Sequence, residues 1–453
     1  MKFNDGLFVG DYAGNWQSLN FVDIMLHFVI ARTEACPNQR TVMSLPHSAV
    51  SPEDRVANVL RSPKLLTREM LAGVITALAL IPEVISFSVV AGVDPKVSLI
   101  ASVVLCLALS VLGGRPAMVT AAAGSVALVI GPMVHQHGVQ YILPAVLMAG
   151  VIQILFGVLG MARLMRFIPQ SVMTGFVNAL GILIFFAQVP HFWSRSPLIV
   201  GLFVLTLLIV LWVPRYIKSI PSPLIAIVLL TLFTVSTGQI LPTVGDEGSM
   251  SGGLPGLTEL LVPLNMQTLS IIWPCALSIA FVGLLESLLT AKLVDELTAT
   301  PSSKRRESIG LGVGNILSGF YGGIAGCAMI GQTIVNVEMG KGRSRISTLA
   351  AGIVLLILVT ALSDVMAKIP MAVLAGIMAI VAVKTFSWHS LQPATVKNAP
   401  IAETVVMLVT VAATVSTGNL AIGVLGGIIV MVLLPARIKR RATEGKSSPA
   451  QEK

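Results

Sequence analysis

Glu286 lies deep in an apolar run, IIWPCALSIAFVGLLESLLTAKLVDE, with Ser287 beside it and Thr290 one helical turn further on. A carboxylate in such a segment costs a few kcal/mol in a bilayer, so it should face the protein interior and either pair with a cation or take up a proton. Glu286 and Thr290 share a helix face, which allows both to reach one Na+ ion. The plainer alternative is a structural carboxylate bound to backbone groups. Glu83, in ALIPEVISFSVVAG, is a second acid of this kind. Pro82 before it is expected either to loosen the helix and free backbone groups, or to mark a bend without ligand contact.

Two further segments, RPAMVTAAAGSVALVIGP and GGIAGCAMIGQTIVN, open with small residues and continue as apolar helix. They read as interrupted crossings. Backbone that is not helical at membrane depth must be buried in protein or line a wet cavity, because lipid offers its N–H and C=O groups no partner. With helices resuming at about Gly124–Ser125 and Ala328–Met329, two helix N-termini would turn free N–H groups and positive dipole ends to one cavity, a site for an anion. Ala123, Gly124, Ser125, Ala328, Met329 and Ile330 are the residues expected to line it. The competing reading of small-residue runs is close helix packing.

The elements that hold these groups follow from composition. Of 453 residues, 55% are hydrophobic and 11% charged, against roughly a quarter charged in a soluble domain. Crossing segments are read at about 70–91, 96–113, 116–134, 142–162, 171–189, 197–214, 221–238, 270–291, 307–320, 323–339, 346–363, 371–384, 401–416 and 420–435. With the N-terminus inside, about 21 Lys or Arg flank the cytoplasmic ends, Arg115, Arg163, Arg166, Lys218, Lys397 and Arg437 among them, against Lys96, Arg195 and Lys368 outside. The pattern predicts an all-α membrane protein of seven plus seven segments in an inverted repeat, with the third and tenth broken and both termini cytoplasmic.

The same pattern assigns the net charge of +9 to membrane orientation and implies no nucleic-acid partner. Cys36, Cys106, Cys275 and Cys327 are far apart and read as small residues, three of them inside apolar segments. Asn178 and Gln188 are expected to join helices, Lys292 and Asp295 to snorkel at the end of the eighth segment, and His135, His137 and His191 to lie in outside loops. No nucleophile elbow, phosphate loop or zinc signature appears, so neither an enzyme nor a cofactor is expected. Residues 1–62 read as an irregular N-terminal segment without a secretory leader, non-native upstream of Met43 if translation begins there, and residues 439–453 as a short basic tail.

The runs LTREMLAGVITALALIPEVISFSVVAGVDP, GFVNALGILIFFAQVPHF, AFVGLLESLLTAKLVDELT, GNILSGFYGGIAGCAMIGQTIVN and NLAIGVLGGIIV together resemble the SulP family of sulfate-permease-type anion transporters over roughly residues 62 to 437. The resemblance implies a transporter domain over 63–438, divided into core and gate, homodimeric, with elevator-like movement of the core in the plasma (inner) membrane. It places the ligand between the third and tenth segments, lined by Glu83 and Phe87 of the first and by the eighth, where Glu286, Ser287 and Thr290 would serve the coupling ion. Many members have Gln where Glu83 stands, and most append a regulatory STAS domain after the last helix, whereas this chain ends about 16 residues beyond Arg437. The implied activity is H+- or Na+-coupled transport of sulfate or bicarbonate. The alternatives are a nucleobase transporter of the same fold, a passive anion channel, and a scaffold or enzyme without transport.

Overall fold

The computed structural model describes residues 56–160, 168–193, 195–217, 220–248, 256–263, 265–392 and 401–433. The readings of Cys36, Met43, Arg163, Arg166, Lys218, Lys397, Arg437 and the basic tail lie outside these residues. The helices are α1 (Pro63–Ala91), α2 (Pro95–Leu112), α3 (Gly124–His137), α4 (Ile142–Val158), α5 (Gln170–Phe192), α6 (Pro197–Trp212) and α7 (Ser222–Ser236). They continue as α8 (Met266–Thr298), α9 (Lys304–Gly319), α10 (Ile330–Ile334, running on as a π-helical turn over Val335–Met339), α11 (Arg345–Ala361), α12 (Met371–Thr385), α13 (Ile401–Thr417) and α14 (Leu420–Leu433). Two strands, β1 (Thr120–Ala122) and β2 (Gly326–Ala328), precede α3 and α10.

Local sequence sets these boundaries. Pro63, Pro95 and Pro197 open α1, α2 and α6, where a missing N–H is no loss. Gly92 closes α1 at φ 70°, a left-handed cap that glycine adopts without a Cβ penalty. Asn265 caps α8 by accepting the Thr268 N–H at 2.8 Å. Among the described residues six helices are long and apolar enough to cross a bilayer, and α7, α11, α12, α13 and α14 are shorter apolar helices.

Packing divides the helices into two groups. In one, α1 lies along α11, α2 along α9 and α11, and α4 along α8 and α9, while α1 and α8 both flank α3 and α10. In the other, α5 packs on α12, α13 and α14, α6 on α7 and α12, and α13 on α14. Small residues bring the crossings close: a Cβ on Gly150 of α4 would stand 2.7 Å from the Gly312 carbonyl of α9, and one on Gly312 2.5 Å from the Gly150 carbonyl. Only hydrogen atoms fit between those backbones, so larger side chains there would separate the helices.

Two expectations need correction. Val56–Arg61, at the end of the segment read as irregular, is a short helix against α1 with Val59 fully buried. His135 and His137 occupy the last turn of α3, and His191 that of α5, rather than loops.

Candidate functional site

The two interrupted segments meet. β1 and β2 pair antiparallel with Thr120 opposite Ala328, Ala121 opposite Cys327 and Ala122 opposite Gly326, all six buried. The pairing extends past the strands, since the Met329 N–H donates to the Val119 carbonyl at 2.9 Å and the Val119 N–H to Thr333 Oγ1 at 3.0 Å. A two-stranded ribbon inside protein leaves outer-edge backbone groups that need partners. Polar side chains from the surrounding helices supply them. Ser102 Oγ of α2 accepts the Ala122 N–H at 3.1 Å, and Ser287 Oγ of α8 accepts the Ala328 N–H at 3.0 Å. Asn315 of α9 bonds both the N–H and the carbonyl of Gly326, at 2.8 and 3.2 Å, and is itself held by Gln153 of α4 at 2.8 Å. Thr290 Oγ1 donates to the Ala328 carbonyl at 3.1 Å.

Helix resumes where each strand ends. Ala123 and Met329, both extended, are the residues before α3 and α10, and no side chain caps either start. The first-turn N–H groups of an α-helix have no partner inside the helix, so both starts present donors. Their surroundings differ. A Cβ on Gly124 would sit 2.5 Å from the Phe87 ring, whereas one on Gly331 would meet nothing within 4 Å. Phe87 is buried and one helical turn from Glu83 on α1. Glu83 is partly exposed, and the Gln332 side chain from the first turn of α10, which packs on α1, lies beside its carboxylate.

Glu286 ties the halves together. Its carboxylate accepts hydrogen bonds from the Ser125 hydroxyl, in the first turn of α3, and from the Cys327 thiol of β2 at 3.0 Å. The two donors are themselves 3.6 Å apart. Of the anticipated residues, Phe87, Gly124, Ser125, Glu286, Ser287, Thr290 and Ala328 are gathered at the strand pair, with Ala123 and Met329 as the turning points and Ile330 half-buried at the α10 start. Thr290 spends its hydroxyl on the Glu286 and Ala328 carbonyls rather than on the Glu286 carboxylate.

Other readings of single residues are settled by their contacts. Asn178 does join segments, accepting the Ser387 N–H at 2.8 Å and donating to Ser390 at 2.9 Å. Lys292 is exposed beside Glu296, in keeping with snorkelling. Asp295 is instead the centre of an ionic cluster, 3.2 Å from buried Arg115 and 2.9 Å from Lys304. The sequence reading missed Cys327, Gln332, Thr333, Ser102, Asn315 and Gln153. Asn315 and Gln153 carried a signal, as neutral polar side chains in apolar runs.

Comparison with known proteins follows the same lines. The Sulfate permease family model matches residues 66–197 and 191–410. The chain belongs to the sulfate permease family. It is a multi-pass helical membrane transporter rather than an enzyme. It is 47% identical over 380 residues to the putative sulfate transporter YbaR of Bacillus subtilis, covering 83% of this chain and 78% of that protein. It is 28% identical over 361 residues to the bicarbonate transporter BicA of Picosynechococcus, covering 72% of this chain and 63% of that one. Among solved structures, the transmembrane domain of a cyanobacterium bicarbonate transporter BicA superposes with a TM-score of 0.70 at 26% identity, covering 81% of this chain and 96% of that one. The murine Solute Carrier 26 member A9 anion transporter in its inward-facing state, at 17% identity, gives 0.71 over 93% of this chain and 76% of that one and speaks for the fold alone.

Proposed function

We propose that this protein is a secondary active transporter that carries a small inorganic oxyanion, sulfate or bicarbonate, together with H+ or Na+. The observation that supports it best is the Glu286 carboxylate, bonded at once to Ser125 at the start of α3 and to Cys327 in β2. A group that touches both interrupted segments changes its contacts whenever it takes up a proton or a cation, and so alters the two helix starts that would bind the anion. The anion would rest against the uncapped starts at Gly124–Ser125 and Ile330–Gly331, with Phe87 and Glu83 beside it. The family's bicarbonate and putative sulfate transporters make these two anions the first to test.

The proposed scaffold is seven plus seven segments related by inversion over residues 63–438. Its support is that packing partners recur under exchange of α1–α7 with α8–α14: α4 on α9 as α11 on α2, α1 on α11 as α8 on α4, α5 on α13 as α12 on α6, and α6 on α7 as α13 on α14. The first packing group is then the moving core and the second the gate, in a homodimer in the plasma membrane with both ends of the chain in the cytoplasm.

Uptake of labelled sulfate and bicarbonate into proteoliposomes, with H+ and Na+ gradients imposed separately, tests the assignment. Accumulation of one anion driven by one of the gradients is expected. Equilibration that ignores both gradients would indicate a channel, and movement of neither anion would remove the proposal.

A further inference from the structure

The site contains acceptors as well as donors. Glu83 turns its carboxylate toward the start of α10, on the same face of α1 as Phe87, whose ring packs against Gly124. Gln332, 2% exposed, lies beside that carboxylate where α10 packs on α1, and its Oε1 is buried with no hydrogen-bond partner among the described residues. An unpaired acceptor next to a carboxylate is costly unless something brings a hydrogen to it.

We infer that Glu83 and Gln332 select a monovalent oxyanion that carries its own hydrogen, of the hydrogencarbonate type, over the fully deprotonated sulfate dianion. The inference rests on the proposed anion site. Hydrogencarbonate has acceptor oxygens for the N–H groups of the two helix starts and one O–H to donate to Glu83 or Gln332. Sulfate at neutral pH has four acceptor oxygens and no donor, so against these two residues it sets lone pair to lone pair and negative charge to negative charge. Such mismatches separate related ligands through the unpaired groups they leave in the site.

The test uses nitrate, which matches hydrogencarbonate in charge and planar shape and lacks only the hydrogen. In proteoliposomes, hydrogencarbonate uptake by the native protein should be inhibited at least about tenfold less well by nitrate or sulfate than by unlabelled hydrogencarbonate, the loss of one hydrogen bond to a charged group. Glu83→Gln supplies an amide donor in the same shape and should make nitrate and sulfate effective competitors. Gln332→Leu should weaken hydrogencarbonate uptake while leaving nitrate no better. Thermal stabilisation by each anion, measured on the same variants in detergent, reads binding without flux and covers a variant that folds but does not transport. Equal competition by nitrate and hydrogencarbonate in the native protein, or sulfate uptake that Glu83→Gln abolishes, would overturn the inference. Failure of every anion to move or bind would instead strike the transporter assignment itself.

Discussion

The two interrupted segments share one backbone plan and differ in what surrounds it. On the α3 side a regular 14-residue helix starts at Gly124 under the Phe87 ring, and its one polar side chain at the turn, Ser125, is committed to Glu286. On the α10 side a five-residue α-helical start passes into a π-helical turn, Gly331 faces open space, and Gln332 keeps an unpaired oxygen. One side is closed by packing and the other is open and polar. Local π-helical turns recur at functional sites. Two interrupted segments can therefore share one strand-pair scaffold while one helix start is closed by packing and the other is left open.

Glu286 serves both sides, so its loss should have the largest effect. Glu286→Gln keeps the size and removes the charge, and gradient-driven uptake in proteoliposomes is expected to fall to background while the protein still purifies as a folded species. Unchanged coupling would mean that the bond joining Ser125 and Cys327 is structural only. Gly124→Ala and Gly331→Ala set the two sides against each other directly. The first drives a methyl group into the Phe87 ring, an overpacking cost of about 2 kcal/mol, and should slow transport severely, with partial recovery in the Phe87→Leu background. The second meets no protein atom within 4 Å and should leave thermal stability within about 0.5 kcal/mol of the native protein. Equal effects of the two would erase the asymmetry.

Smaller effects should come from the scaffold. Thr333→Val leaves the buried Val119 N–H unpaired and Ser102→Ala the Ala122 N–H, each at a cost of about 1–3 kcal/mol in stability. Thermal unfolding of both variants should show similar shifts, because here the halves are alike. The smallest effect is expected at the ionic cluster. Lys304→Met removes only the partly exposed ion pair with Asp295 and should lower thermal stability by about 1 kcal/mol or less without changing anion preference.

Much of this was legible in the sequence because it depends on local rules. A run of small residues ending in Gly124–Ser125 marks where helix can restart, and a carboxylate such as Glu286 in an apolar run must face a partner. What was not legible depends on which chain segments meet. Cys327 reads as a small buried residue until β2 pairs with β1 and brings its thiol to Glu286. Thr333 shows nothing of its bond to Val119 without the strand register. Asp295 near a helix end looks like a snorkelling charge until the chain before β1 returns Arg115 to it.

The claim on which all of this turns is that an anion sits between the two helix starts. Carbon-13 hydrogencarbonate bound to protein labelled with nitrogen-15 at glycine, in bilayers, allows that distance to be measured by solid-state magnetic resonance. Dephasing of the anion signal by glycine amides, reduced in Gly331→Ala because one of the two nearby labels is gone, is the expected result. Absence of any dephasing in protein that takes up hydrogencarbonate at its full rate would contradict the account.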